Sequence, residues 1–148
     1  MTFEKLIEEL NAKLGVEIEN AGDAFALDVD GETVVLQMAG VPDGDLLLMR
    51  ADLGATSEGK RAAVASAALE ANFLYQGTGG ATLAMNPADA HLYIHRYDWL
   101  DRLDAEKALE ALSRFADTAA AWRRILNDVP EAGAVTEPAE GVPAGLMV

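Results

Sequence analysis

The spacing of hydrophobic positions changes from a helical period to a strand period near the N-terminus. Apolar residues recur every three or four positions over residues 2–14, and Gly15 follows as a stop signal. Apolar and polar positions then alternate over residues 24–30 and 33–38, with a short turn at 31–32 between them. The pattern predicts an N-terminal helix followed by a β-hairpin.

The rest of the chain alternates between strand and helix patterns. Residues 40–44 have the composition of a loop. The strand after it begins with apolar residues on both faces, which predicts a central position or a partner on its outer face. The further predicted elements are strands at 46–51, 81–85 and 91–97, a helix at 58–75 capped by Ser57, and a long helix that begins at Asp104. The order α-β-β-β-α-β-β-α predicts an α+β fold with three helices and an antiparallel sheet.

The periodic pattern ends after Asn127. Residues 128–148 hold three of the five prolines and no lysine or arginine. Such a composition buries too little apolar surface to offset the entropy of ordering the segment. The sequence therefore predicts one folded domain of residues 1–127 and a disordered acidic tail of residues 128–148.

The second predicted helix and the corner after it form the most distinctive stretch of the sequence. The helix is rich in alanine, which lets another backbone approach closely, and the glycines at 77–80 supply positive φ where the chain reverses direction. The stretch 69–87, LEANFLYQGTGGATLAMNP, together with LLMRADLG at 47–54, resembles the class I (CesT-like) chaperones of type III secretion. The resemblance covers about residues 1–126 and includes the order of the elements.

This resemblance implies a binding protein that has no reaction to catalyse. Members of the family are small acidic dimers that bind the N-terminal segment of a secreted effector and keep it soluble and competent for secretion. They commonly dimerise through the second helix. The effector segment wraps around the dimer, docks apolar side chains into shallow patches and can add a strand to a sheet edge. The resemblance therefore implies a cytoplasmic homodimeric chaperone.

Two sets of residues are expected to form the interaction sites. A helix that is apolar over so much of its circumference is expected to be buried on two sides, and a twofold dimer would cover the second side. The predicted dimer interface consists of Ala63, Val64, Ala67, Ala68 and Ala71. The effector-binding patches carried over from the family involve Leu6, Leu10, Phe25, Leu27, Val34 and Leu36. For both sets, packing within the chain's own core is the alternative.

Composition restricts the expected partners. The formal charge of −14, from 25 acidic and 11 basic residues, repels nucleic-acid phosphates and anionic membranes, so neither is expected to bind. The chain has no cysteine, which excludes disulfides and thiolate metal sites and fits a reducing cytoplasm. No apolar run approaches the ~20 residues of a membrane helix, and the N-terminal sequence lacks the pattern of a signal peptide.

Residue types that serve in catalysis occur here without the spacing that catalysis needs. The glycines at 77–80 follow a helix rather than precede one, and no lysine comes after them, unlike in a phosphate-binding loop. His91 and His95 on a strand lie about 13 Å apart, too far to share a metal ion. No G-x-S-x-G motif is present. The sequence thus predicts no catalytic residue, no metal site and no cofactor.

Two other functions remain open at this stage. One is an α+β adaptor or regulatory module that binds proteins but has no part in secretion. The other is a small enzyme that uses His91 or His95.

Overall fold

The computed structural model describes residues 1–15, 19–20 and 24–132. The helices are α1 (Phe3–Leu14), α2 (Glu58–Asn72) and α3 (Ala105–Asp128). The strands are β1 (Glu19–Asn20), β2 (Ala24–Val29), β3 (Glu32–Val41), β4 (Gly44–Ala55), β5 (Thr82–Met85) and β6 (His91–Trp99). Short 3₁₀-helices at Phe73–Tyr75 and Leu100–Arg102 follow α2 and β6. The predicted α+β fold and element order are confirmed, and β1 is an addition because two residues carry no detectable period.

The six strands form one antiparallel sheet in the order β1-β2-β3-β4-β6-β5. Asp30 and Gly31 connect β2 to β3, and both have the positive φ of a type I′ turn, so the predicted turn lay one residue too late. Val41 pairs with Gly44, which leaves only two residues between β3 and β4. The predicted loop at 40–44 is therefore wrong, because the turn-forming composition there belongs to a tight hairpin.

One face of the sheet packs against the helices and forms the core. Alternate residues along the strands are buried on this face, including those of β4, whose sequence is apolar on both faces. The buried sheet residues include Leu27, Val34, Leu36, Leu47, Met49, Ala51, Leu53, Leu83, Leu92 and Ile94. The helices contribute Phe3, Leu6, Leu10, Val64, Ala68, Ala108, Leu112, Phe115, Ala119 and Leu126, among others. None of the described helices has the length and apolar character needed to cross a membrane.

The chain turns back over the start of α2 after α3 ends. The Ala132 N–H donates to the Gly59 carbonyl at 2.9 Å, and the Ser57 hydroxyl donates to the Glu131 carboxylate at 2.5 Å. Ser57 occupies the N-cap position as predicted, but its side chain makes this long-range bond instead of a capping bond. The first residues of the predicted tail thus pack against the domain, while residues 133–148 lie outside the described residues.

Candidate functional site

The six residues predicted to bind an effector belong to the core or to its edge. Five of them are buried: Leu6, Leu10, Leu27, Val34 and Leu36. The sixth, Phe25, is partly buried and packs against Phe3, with the ring centroids 5.4 Å apart. Their apolar spacing marks the face of each element that meets the core, so the five buried residues present no surface to a partner and Phe25 presents only a part of its side chain. The predicted patch is corrected to a part of the core.

The predicted dimer interface is divided between two sides of α2. Val64 and Ala68 are buried in the chain's own core, and Ala67 and Ala71 are partly buried against it. Only Ala63 is exposed. The small residues on this side of α2 are therefore explained by close packing against the sheet. This part of the interface prediction is corrected, because a second subunit cannot use surface that the first has already covered.

The opposite side of α2 is exposed. Ala62, Ser66, Leu69 and Phe73 follow one another at intervals of four, three and four residues, so they lie along one line of the helix and its 3₁₀ extension. We call these four residues the α2 stripe. Leu69 is 72% exposed and Phe73 is 65% exposed. An exposed and mostly apolar line of residues of this kind marks an interaction site more often than a scattered apolar residue does.

The corner after α2 extends this apolar surface. Leu74 and Tyr75 both have positive φ, at 52° and 57°, and both side chains are exposed. Gly77 holds the corner in place: its N–H donates to the Ala71 carbonyl at 3.0 Å, and its carbonyl accepts from the Trp122 indole at 2.8 Å. Since left-handed backbone is unfavourable for residues with a Cβ, these contacts impose the conformation that turns two large apolar side chains outward.

A second exposed surface is the sheet face opposite the core, on which none of the described helices lies. The register of β4 and β6 sets Leu46 beside Trp99, Leu48 beside Tyr97, Arg50 beside His95 and Asp52 beside Tyr93 on this face. Most of these side chains are partly exposed, and Tyr97 is more than half exposed. We call this surface the open sheet face.

A hollow of about 300 Å³ opens on the open sheet face. It is lined by Leu48, Arg50, Ala84, Met85, Asn86, Tyr93, His95 and Tyr97. His95 packs edge-on against Tyr97 with ring centroids 5.9 Å apart, and burial lowers the pKa of His95, which favours the neutral imidazole. The Arg50 Nε is buried and has no hydrogen-bond acceptor among the described residues.

The other histidine forms an ion pair at the end of the open sheet face. The Nδ1 atom of His91 lies 2.9 Å from each carboxylate oxygen of Asp52. This hydrogen bond raises the pKa of His91. The two histidines lie on β6 as expected, and in the described part of the chain no three histidine, aspartate or glutamate side chains cluster closely enough to hold a metal ion.

Solved structures of other proteins share this fold. A chain of the HopA1–SchA chaperone–effector complex superimposes with a TM-score of 0.60 at 13% identity, covering 85% of this chain and 93% of that chain. A chain of the ExsC–ExsE complex gives a TM-score of 0.61 at 19% identity, covering 82% and 91%. A chain of the heterodimeric ExoU–SpcU complex from the type III secretion system of Pseudomonas aeruginosa gives 0.57 at 20% identity, covering 81% and 93%. These identities are low, so the likeness shows a common fold.

Comparison of the sequence with family models and with curated proteins gives a family but no individual relative. No curated protein matches the chain significantly. The model of the Tir chaperone protein (CesT) family matches residues 5–123, from α1 to α3. The match contains both stretches that carry the resemblance noted from the sequence, 47–54 and 69–87. The chain therefore belongs to the Tir chaperone protein (CesT) family.

Proposed function

We propose that this protein is a type III secretion chaperone that binds the N-terminal segment of an effector in the cytoplasm and keeps it soluble and competent for secretion. The single observation that carries the proposal is the family match over residues 5–123. The likeness to a chain of a complex named for its chaperone and effector supports it. The mechanism is binding, without catalysis.

The surface chemistry of the molecule suits such a role. A formal charge of −14 keeps the protein soluble, while the α2 stripe and the open sheet face offer apolar surface. An aggregation-prone apolar segment gains contacts on such a surface, and the surrounding charge prevents the complexes from associating with each other. Apolar surfaces within an acidic protein are thus consistent with holding a partner that is insoluble alone.

We further propose that the chaperone is a homodimer formed through the α2 stripe. In an antiparallel pair with its twofold axis at Ser66, residues equally distant from Ser66 on either side face each other. Leu69 of one subunit then lies against Ala63 of the other, where a small side chain leaves room for it. The same arrangement sets Glu70 against Ala62 of the other subunit, which is a second small side chain.

Co-expression with effector candidates tests the chaperone function. The probe is the N-terminal region of each candidate encoded near this gene, and the C-terminal region of the same candidate is the control. Light scattering after size-exclusion chromatography is expected to show a complex of two copies of this chain with one N-terminal segment. A dimer that binds none of the N-terminal segments would contradict the proposal and favour the adaptor unrelated to secretion.

Replacement of Leu69 by Asp tests the dimer interface. We expect Leu69→Asp to convert the dimer to a monomer, because the change would bury an unpaired charge between the subunits. The monomer is expected to remain folded, since Leu69 is mostly exposed and lies outside the core. Val41→Asp is the matched control, because Val41 is an exposed apolar residue at the β3–β4 turn. A Leu69→Asp variant that keeps the mass of a dimer in light scattering would exclude this interface.

A further inference from the structure

The open sheet face contains an arginine whose hydrogen-bonding capacity is incompletely used. Arg50 lies in the register between Val35 of β3 and His95 of β6. Its Nε is buried, and no described residue accepts a hydrogen bond from it. Native proteins pair nearly all such buried donors, because an unpaired donor loses its hydration without compensation. Arg50 also lines the hollow, so an acceptor on a ligand that enters the hollow can contact the arginine.

The surroundings of Arg50 define what kind of ligand would bring that acceptor. The hollow beside it is walled by the rings of Tyr93 and Tyr97 and by the apolar side chains of Leu48 and Met85. Arg50 is the only lysine or arginine among the residues that line it. Aliphatic and aromatic walls around a single guanidinium favour a carboxylate with apolar neighbours, because Arg–carboxylate hydrogen bonds are charge-assisted and strengthen as water is excluded.

The open sheet face of a second copy is a poor source of this carboxylate. Asp28 and Asp52 lie on the same side of the sheet as Arg50 and already accept hydrogen bonds, and Glu19 is in the same cross-strand row as Ala26, Val35 and Arg50. Asp28 accepts from the Gly31 N–H at 2.9 Å, and Asp52 accepts from His91. Packing two copies through this face would also bring together two molecules that each carry a formal charge of −14, and this repulsion opposes the contact. Charge complementarity therefore favours a different protein as the occupant.

We propose that the open sheet face binds an extended segment of the partner protein in which an Asp or Glu is flanked by apolar residues. The carboxylate pairs with the guanidinium of Arg50, and the flanking side chains enter the hollow beside Leu48 and Tyr97. Arg50 is then the residue that determines which segments bind. The identification of this partner with a secreted effector rests on the proposed function, whereas the chemistry of the surface does not.

The expected preference for acidic peptides is opposite to the preference that the net charge of the molecule would produce. A protein with a formal charge of −14 repels acidic peptides at long range, so non-specific binding would select basic ones. A preference for a carboxylate has to come from a local contact. Salt screens the long-range repulsion more strongly than a partly buried pair, so the preference is expected to persist at high ionic strength.

Selection of peptides on the purified full-length chain tests the proposal without knowledge of the effector. Short random peptides displayed on phage are the probe, and the strongest binder is synthesised with Glu and with Gln at its acidic position. We expect the Glu peptide to bind the wild type at least about tenfold more tightly than the Gln peptide. The Arg50→Gln variant is expected to lose this difference, and Arg114→Gln, at an exposed arginine of α3, to keep it.

A second variant guards against a folding defect in Arg50→Gln. Ala84 is exposed on the edge strand β5 and lines the hollow, so Ala84→Trp should fill the hollow without disturbing the core. We expect this variant to bind neither peptide while its thermal unfolding stays cooperative. Selected peptides without an acidic residue, equal binding of the Glu and Gln peptides to the wild type, or an unchanged preference in Arg50→Gln would each overturn the proposal.

Two further outcomes would assign the open sheet face to a different occupant and so overturn the proposal. Peptide binding that occurs only after residues 133–148 are deleted would identify the chain's own C-terminal segment as the occupant. A halved mass of Arg50→Gln in light scattering would identify a second copy. The co-expression experiment tests the chaperone function separately. A carboxylate preference without effector binding refutes only the chaperone function. Effector binding that shows no carboxylate preference and is retained in Arg50→Gln refutes only the proposed role of this surface.

Discussion

His91 and Asp52 form a pH-sensitive contact between two side chains at the surface. The hydrogen bond to Asp52 raises the pKa of His91 above its ordinary value of 6.5. Partial burial by itself would raise the pKa of Asp52, but the hydrogen bonds from His91 and from the Gly54 N–H outweigh it and bring the pKa below the ordinary 3.8. Each partner therefore favours the charged form of the other.

The two shifts set opposite limits to the pH range in which this pair stabilises the fold. The contribution of His91 is complete below about pH 6.5 and is lost as the pH rises through its higher folded-state pKa. The contribution of Asp52 is present above about pH 3.8 and is lost as the pH falls through its lower folded-state pKa. We expect His91→Gln to reduce the free energy of unfolding in urea more at a pH near 5.5 than at a pH near 8.5.

His95 provides a control with the opposite sign. Burial lowers its pKa, so its neutral form stabilises the fold at high pH and that contribution is lost as the pH falls. We expect His95→Gln to be relatively less destabilising at the lower pH. A His91→Gln effect that does not change with pH would contradict the role of the ion pair.

At the scale of elements, the amide side chain of Asn72 links the end of α2 to the edge of the sheet. The Asn72 Nδ2 donates to the Leu83 carbonyl at 3.0 Å, and the Leu83 N–H donates to the Asn72 Oδ1 at 2.9 Å. Asn72 thus satisfies the backbone groups of β5 as a neighbouring strand would. This contact sets where α2 ends, and the exposed corner begins at the next residue.

Removal of this amide is expected to loosen the end of α2 and the edge strand together. Asn72→Ala leaves one donor and one acceptor of β5 without a partner, which should cost about 2 kcal/mol of unfolding free energy. We expect faster amide hydrogen exchange at Leu83, measured by NMR. Asn11→Ala, at an exposed position of α1, is the matched control. Unchanged exchange at Leu83 would show that the two hydrogen bonds contribute nothing to local stability.

At the scale of the whole molecule, Arg123 joins the last helix to the strands beneath it. Its guanidinium is 2.8 Å from the Glu32 carboxylate and donates to the carbonyls of Asp52 at 2.9 Å and Leu53 at 3.4 Å. Glu32 is largely buried, so its carboxylate relies on this partner for hydrogen bonds. The hydrogen bond and the proximity of Glu32 raise the pKa of Arg123, which keeps the arginine charged. Arg123 of α3 thereby connects the last helix to β3 and β4.

Neutralising this arginine is expected to destabilise the entire fold. Arg123→Gln should cost about 1–2 kcal/mol in urea unfolding, a figure reduced for the partial exposure of the arginine. Arg124→Gln is the matched control, because it removes the same charge from the neighbouring exposed position. Equal effects of the two substitutions would mean that only the net charge matters.

The sequence by itself determined the element order, the α+β class and the family. These properties follow from the period of apolar residues and from turn chemistry, both of which depend on neighbours along the chain. Only the tertiary structure decided which surfaces stay exposed. A period identifies the apolar face of an element but not the element that covers it, so core residues such as Leu6 and Val34 were expected to bind a partner.

The same difference between local pattern and tertiary contact explains why the sequence did not identify the exposed side of α2 or the surroundings of Arg50. The alanine pattern identified a helix made for close packing, and the tertiary structure assigned that side to the chain's own sheet and left the α2 stripe exposed. The position of the Arg50 Nε without an acceptor among the described residues, and the pairing of Glu32 with Arg123 across 91 residues, depend on contacts distant along the chain. No local pattern records such contacts, because the strand register and the placement of the helices create them.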